Sequence, residues 1–228
     1  MSQTSKPKIL IIEDNSDTRR FLEVMLKKEF DVITAENGVI GIDYARNQSP
    51  DLILLDIMLP ILSGYDTCSL IKKDEKTRHI PVIFLSAKNT VTDITKGLTT
   101  GADDYIPKPF DYKELKARII TRLRKGPETG GRPIMLGDLK IDPATRDVNF
   151  QGKSFELTLT EFDILRTLAS RAGSVVSRDE ILASVWKDDA KEANDRTIDV
   201  HIRALRKKIP GLTKFIVSVY GVGYKYEK

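Results

Sequence analysis

The chain has 228 residues, 40% of them apolar and 31% charged, with a formal net charge of +4, which is the composition of a folded, water-soluble protein with room for two ordinary domains. No apolar run approaches membrane-spanning length, and Met1-Ser-Gln-Thr-Ser-Lys6 has no signal-peptide core. The single cysteine, Cys68, excludes an internal disulfide and a clustered zinc site, so a reducing cytoplasm and no membrane partner are expected. Up to Lys125 there are 20 basic against 18 acidic residues, and after it 17 against 15. Bulk charge therefore does not mark a nucleic-acid binder, and local clustering has to.

From Lys8 to about Arg124, short apolar runs alternate with amphipathic stretches. Strands are predicted near 8–12, 31–35, 52–55, 81–85 and 104–106. Runs of four or five residues rich in Ile, Leu and Val read as strands buried on both faces of a parallel sheet. The segments between them carry helical spacing, as in Phe21/Val24/Met25 and Leu115/Ile119/Leu123. This alternation predicts a doubly wound α/β domain. Lys125-Gly-Pro-Glu-Thr-Gly-Gly-Arg-Pro133 has the composition of a linker. Residues 134–157 then read as short strands cut by turns. Three helical segments follow: one from Thr160 to Gly173, one from Ser177 to Trp186, and one over roughly Asp195–Ile209. The second has a capping-box spacing, Ser177 to Glu180. A hairpin turning at Gly221-Val222-Gly223 ends the chain. Together these predict a five-stranded flavodoxin-like domain over 6–124, a linker over 125–133 and a winged helix-turn-helix α+β domain over 134–228.

The chemistry sits at the strand ends. Glu13 and Asp14 follow the first strand, Asp56 ends the third, Ser86 follows the fourth and Lys108 the fifth. In an open α/β sheet, ligands bind at the carboxyl ends of the strands. Three acids, a hydroxyl and an ammonium gathered there suit a divalent cation and a phosphoryl group beside a carboxylate. Mg²⁺ takes hard oxygen ligands. Asp56 is a candidate nucleophile, since a carboxylate can form an acyl phosphate. Each residue alone could be a cap, a turn former or a solvated charge; their joint placement points to function.

Residues 8–124 closely resemble the receiver domain of two-component response regulators. The carrying strings are Ile11-Ile-Glu-Asp-Asn15, Leu54-Leu-Asp-Ile-Met-Leu-Pro60, Gly64, Leu85-Ser-Ala87 and Gly101-Ala-Asp-Asp-Tyr-Ile-Pro-Lys-Pro-Phe110. The resemblance implies that Asp56 accepts a phosphoryl group from a sensor histidine kinase. It assigns Mg²⁺ to Asp14, Asp56 and the Met58 carbonyl, with Glu13 assisting. Lys108 would meet the phosphoryl group, followed by a cis bond to Pro109, and Ser86 with Tyr105 would form the switch. It also implies a homodimer of the phosphorylated form, with Asp103, Asp104, Glu114, Arg118 and Arg122 at the interface. Ile94 and Thr99 depart from the basic and acidic residues usual at that interface.

In the second half, Ile198, Ile202, Leu205 and Ile209 form a core stripe. Arg196, Val200, Arg203 and Lys207 repeat its spacing two residues out of phase, about 200° away, and are expected to face outward. A basic stripe with one methyl-bearing residue fits a major groove. Residues 134–228 resemble the effector domain of OmpR/PhoB-type regulators, through Leu159-Thr-Glu-Phe162, Val175-Val-Ser-Arg-Asp-Glu-Ile-Leu182, Val185-Trp186, Arg196-Thr-Ile-Asp-Val-His-Ile-Arg203, Leu205-Arg-Lys-Lys208 and Gly221-Val-Gly-Tyr224. This implies double-stranded promoter DNA read through Arg196, Thr197, Val200, His201, Arg203, Arg206 and Lys207, on direct repeats, with RNA polymerase as a further partner. Tyr220 and Ala204 depart from the basic and polar residues common at their positions. A phosphorelay carrier, or a phosphatase of small acyl phosphates, is an alternative from a different class. The recognition stripe argues against the first, and the lack of a further base or substrate pocket against the second.

Overall fold

The computed structural model describes residues 6–87, 97, 100–123, 132–186 and 195–227. Strands β1 (Lys8–Ile12), β2 (Asp31–Ala35), β3 (Leu52–Asp56), β4 (Val82–Ser86) and β5 (Asp104–Pro107) form one parallel sheet in the order β2-β1-β3-β4-β5. The expected doubly wound sheet is present. β3 and β4 are buried along their whole length, which is why they read as unbroken apolar runs. Full burial of each such Ile, Leu or Val contributes about 1.5–3 kcal/mol. Parallel registration, with Ile12 beside Leu55 and Asp56 beside Leu85, brings the carboxyl ends of β1, β3, β4 and β5 to one edge.

Helices α1 (Ser16–Leu26), α2 (Gly38–Gln48), α3 (Gly64–Lys73) and α4 (Tyr112–Leu123) connect or follow the strands. Asn15 caps α1, accepting from the amides of Asp17 and Thr18, Asn37 caps α2, and Ser63 caps α3. The helix expected around Phe21, Val24 and Met25 is present as α1, but its buried face is Leu22 and Leu26. Phe21 and Val24 are 55% and 57% exposed. Ile94 and Thr99, and most of the expected linker, lie outside the described residues.

The chain divides into compact units at Leu115–Lys116, inside α4. The second unit holds an antiparallel sheet β6 (Ile134–Leu136), β7 (Leu139–Asp142), β8 (Asp147–Phe150) and β9 (Lys153–Phe155), then α5 (Leu159–Ser170), β10 (Val175–Ser177), α6 (Arg178–Trp186), α7 (Asp195–Lys208), β11 (Ile216–Val219) and β12 (Gly223–Tyr226). This is the winged helix-turn-helix arrangement, with one strand more than expected: β10 pairs with β12 to make a three-stranded wing sheet. α5 opens one residue before the expected Thr160, because Thr158 and Glu161 close a capping box around it. Ser177 and Glu180 close the expected one: the Ser177 amide donates to Glu180 Oε2 at 2.8 Å and the Glu180 amide to Ser177 Oγ at 3.2 Å. Trp186, Ile198, Ile202, Leu205, Ile209 and Tyr226 lie in one buried cluster.

Candidate functional site

At the carboxyl edge of the first sheet, Lys108 Nζ donates to Glu13 Oε2 at 2.7 Å and also to Asp56 Oδ2. Asp56 Oδ1 accepts from the Met58 amide at 2.8 Å. The two oxygens of Asp56 therefore have different partners, a backbone dipole and an ammonium. The Lys108–Pro109 peptide is cis, as expected, and the Lys108 amide donates to the Ser86 carbonyl at 2.7 Å, tying the loop after β5 to the end of β4.

Burial raises the Glu13 carboxyl pKa above its ordinary value; the Lys108 bond opposes this and the Asp56 charge adds to it. Burial works to lower the Lys108 pKa, but its bonds to Asp56 and Glu13 more than offset that, and it ends raised. The ammonium is thus held charged between two carboxylates, leaving an excess of negative charge. Hard oxygens in net negative surroundings fit Mg²⁺. Among the described residues no three His, Cys, Asp or Glu side chains are gathered closely enough to hold an ion by themselves. Asp14, the next residue in the chain after Glu13, is exposed.

Two further residues support the site: Arg19, which the sequence did not single out, and Gly64, which it did. Arg19 reaches back from α1 to donate to the carbonyls of Glu13 and Asp14 at 2.7 and 3.0 Å, fixing the loop that carries both acids. A Cβ on Gly64 would lie 2.1 Å from the Asp56 carbonyl oxygen and 2.6 Å from Ile57 Cα. Only glycine lets α3 start so close beneath Asp56. The expected switch residues are both buried, and Tyr105 packs inward, its ring centroid 6.4 Å from that of Phe84. Of the residues expected at a dimer interface, Asp103 is fully buried, paired with Lys72 at 2.8 Å and accepting from the Val82 amide at 3.0 Å. Asp104, Arg118 and Arg122 are buried as well, and Glu114 is half-buried.

On α7 the expected outward face needs correction. Thr197, Val200 and His201 are buried, as is Ala204. At 100° per residue the buried arc runs from Val200 through Ala204, Thr197 and His201 to the Ile198 stripe, about 200° of the circumference. The open face is Asp199, Arg203 and Lys207. As placed, Val200 has no methyl to offer a base and His201 lies beside the Trp186 ring, 6.2 Å between centroids. Arg206 is half-buried and turned to the wing, donating to the Ile216 carbonyl at 2.6 Å and to Ser218 Oγ at 3.2 Å. The side chain of Arg196 lies outside the described residues.

A second network, unforeseen, joins α7 to the wing. Tyr224 donates its hydroxyl to Asp199 Oδ1 at 2.7 Å, and Arg178 pairs with the same oxygen at 3.1 Å. Burial, with the Asp199 charge beside it, pushes the Tyr224 pKa up to about 12. Asp199 and Tyr224 stand 25 residues apart, so no local pattern signals their pairing. The Tyr220 side chain stands fully exposed at the wing tip.

Comparison with known proteins matches residues 9–120 to the response regulator receiver domain and residues 152–226 to the C-terminal domain of transcriptional regulatory proteins. The chain is 36% identical over 226 residues to the DNA-binding response regulator MtrA of Mycolicibacterium smegmatis, covering 97% of each chain. It is 38% identical over 230 residues to the DNA-binding dual master transcriptional regulator RpaA of Synechocystis, covering 97% of this chain and 95% of that one. Among solved structures, the response regulator DrrB of Thermotoga maritima, an OmpR/PhoB homologue, matches with a TM-score of 0.53 and 32% identity over 98% of this chain and all of that one.

Proposed function

Because the chain belongs to the OmpR/PhoB-type response regulators, a family of DNA-binding transcriptional regulators and not of enzymes, we propose that it couples phosphorylation of Asp56 to promoter binding. In this reading a cytoplasmic protein carries a receiver over 6–124, a linker over 125–133 and a DNA reader over 134–228. A carboxylate oxygen of Asp56 attacks the phosphorus of a phosphohistidine on a sensor kinase. The P–N bond breaks, and the imidazole leaves with the electron pair. Asp14, Asp56 and the Met58 carbonyl would hold Mg²⁺, with Glu13 assisting, and the ion when bound would supply neutralisation of charge on the transferring phosphoryl oxygens. Lys108 exchanges its Asp56 oxygen for a phosphoryl oxygen, and the Ser86 hydroxyl follows with Tyr105. The phosphorylated chain then pairs on direct repeats, reading bases with Arg203 and meeting phosphates with Lys207 and Arg196.

The observation that carries the reading is the single Lys108 ammonium spanning Glu13 and Asp56. A cation already in contact with the nucleophilic carboxylate is positioned to sense what is added to it. The test uses labelled acetyl phosphate with Mg²⁺, followed by DNA binding. The expected outcome is that the wild-type chain takes label and binds its promoter more tightly, whereas Asp56→Asn does neither. Full labelling of Asp56→Asn would sink the assignment.

A further inference from the structure

Between α5, α6 and the first strands of the second unit lies a concavity of about 390 Å³, open to solvent and lined by Arg132, Ile134, Pro143, Arg166, Thr167, Ser170, Arg171 and Ser184. Among the described residues no acidic side chain lines it. None of these residues belongs to α7 or to the wing strands β11 and β12. We propose that this concavity is a docking site for an acidic peptide segment of a protein partner, separate from the surface that reads DNA.

The hydrogen-bond donors decide which chemistry fits. Ser170 Oγ has given its proton to the Arg166 carbonyl at 2.7 Å. Thr167 Oγ1 donates to the Asp163 carbonyl at 2.8 Å, so it receives the proton of Ser184 Oγ across their 2.9 Å contact. All three hydroxyl protons are therefore spent, and the remaining donors are the guanidinium groups. A guanidinium has five N–H bonds and no acceptor. Arg171 uses one of them on Glu180 Oε1 at 2.7 Å. Arg166 comes no closer than 3.9 Å to Asp163, beyond hydrogen-bond range. Arg132 is exposed. A site with many charged donors and no free neutral ones selects anions, and planar guanidiniums select carboxylates by paired N–H contacts.

Shape separates a peptide from a nucleic acid. A recess of this size takes protruding side chains, and Ile134 and Pro143 offer apolar surface to the methylene stems of glutamates or to apolar residues between them. A duplex backbone would instead meet arginines projecting from a flush surface. A small metabolite is held in an enclosed, mostly apolar pocket, which this recess is not.

The test uses the full chain and a labelled 12-residue peptide in which glutamate alternates with alanine and leucine, followed by fluorescence anisotropy in about 50 mM salt, where surface charge is weakly screened. The wild type is expected to bind this peptide and not its glutamine counterpart. The double variant Arg132→Ala, Arg166→Ala should lose about tenfold or more in affinity, as removal of two charged partners entails, while duplex DNA affinity stays unchanged. Arg132→Ala alone lies outside every helix and strand, so it keeps the test decisive if the double variant folds poorly. Unaltered peptide binding in both variants would overturn the site, and equal binding of the glutamine peptide would overturn the anion chemistry. Competition by inorganic phosphate as strong as by the peptide would assign the recess to a phosphate ligand. Parallel loss of peptide and duplex binding would make the recess part of the DNA surface, overturning the separation while leaving the promoter-binding reading intact.

Discussion

Glu13 and Lys108, 95 residues apart in sequence, close an ion pair of 2.7 Å, and the same ammonium also contacts Asp56. Removing Lys108 leaves two buried carboxylates side by side. Lys108→Ala should therefore lower stability by about 3 kcal/mol without Mg²⁺, the scale for orphaning a buried charge, and added Mg²⁺ should recover part of it. Its Mg²⁺ affinity should equal or exceed that of the wild type, because an ammonium has no lone pair to offer a metal. DNA binding should stop responding to acetyl phosphate. Titration calorimetry with MgCl₂ checks the central point: a large fall in affinity would mean that Lys108 organises the metal site.

Ile61 sits in the β3–α3 loop with φ at 69° and its side chain 85% exposed. The left-handed region costs an L-residue roughly 1–2 kcal/mol, and a β-branched side chain gains nothing there by burial. Asparagine tolerates this region. Ile61→Asn should raise the urea midpoint, with a gain of about 1 kcal/mol at unchanged slope. A lower midpoint would show that the exposed isoleucine contributes contacts that offset its backbone strain.

Arg203 lies on the open face of α7, and we expect Arg203→Ala to lose about 1–3 kcal/mol of discrimination between specific and scrambled duplexes. Lys207→Ala should weaken both duplexes alike and reduce the salt slope by about one unit per reader. Binding over a salt series separates the two. A preference that survives Arg203→Ala and vanishes with Lys207→Ala would reverse the roles.

The buried Cys68 thiol is pushed up to about 12 by burial, the surrounding charges partly cancelling. Its pKa when unfolded is ordinary, near 8.5. The folded chain therefore keeps a proton that the unfolded chain releases. The resulting stabilisation is whole below the unfolded pKa and falls as pH rises towards 12, at a limiting slope of about 1.4 kcal/mol per pH unit. Urea melts of the wild type at pH 8 and 10.5 should differ more than those of Cys68→Ala. Equal differences would mean the thiol is not the group titrating. Native Cys68 should also resist iodoacetamide at pH 8.

The strand-end residues were legible in the sequence because burial on both sheet faces writes itself as an unbroken apolar run, and the residue that ends the run is then at the edge. The open face of α7 was harder. The stripe of Ile198, Ile202, Leu205 and Ile209 locates the centre of a buried arc but not its width. Thr197, Val200, His201 and Ala204 are small or amphipathic enough to suit either side, so their burial is set by packing. Likewise Phe21 and Val24 have helical spacing, yet Leu22 and Leu26 carry the buried face. Arg19 and the Asp199–Tyr224 pair act through bonds that no periodicity encodes.

The bonds from Arg206 to Ile216 and Ser218, and from Tyr224 to Asp199, bolt the reading helix to the wing. A reader assembled before it meets its site cannot let helix and wing adjust separately to groove spacing. The adjustment falls to the duplex, whose bending and twisting cost depends on its base steps. If α7 and the wing read DNA as proposed, base pairs that no side chain touches, chiefly flexible pyrimidine–purine steps between helix and wing contacts, would weigh in the choice of promoter. Loosening the bolt with Arg206→Ala is expected to shift that part of the selectivity while leaving the base preference proposed for Arg203 unchanged.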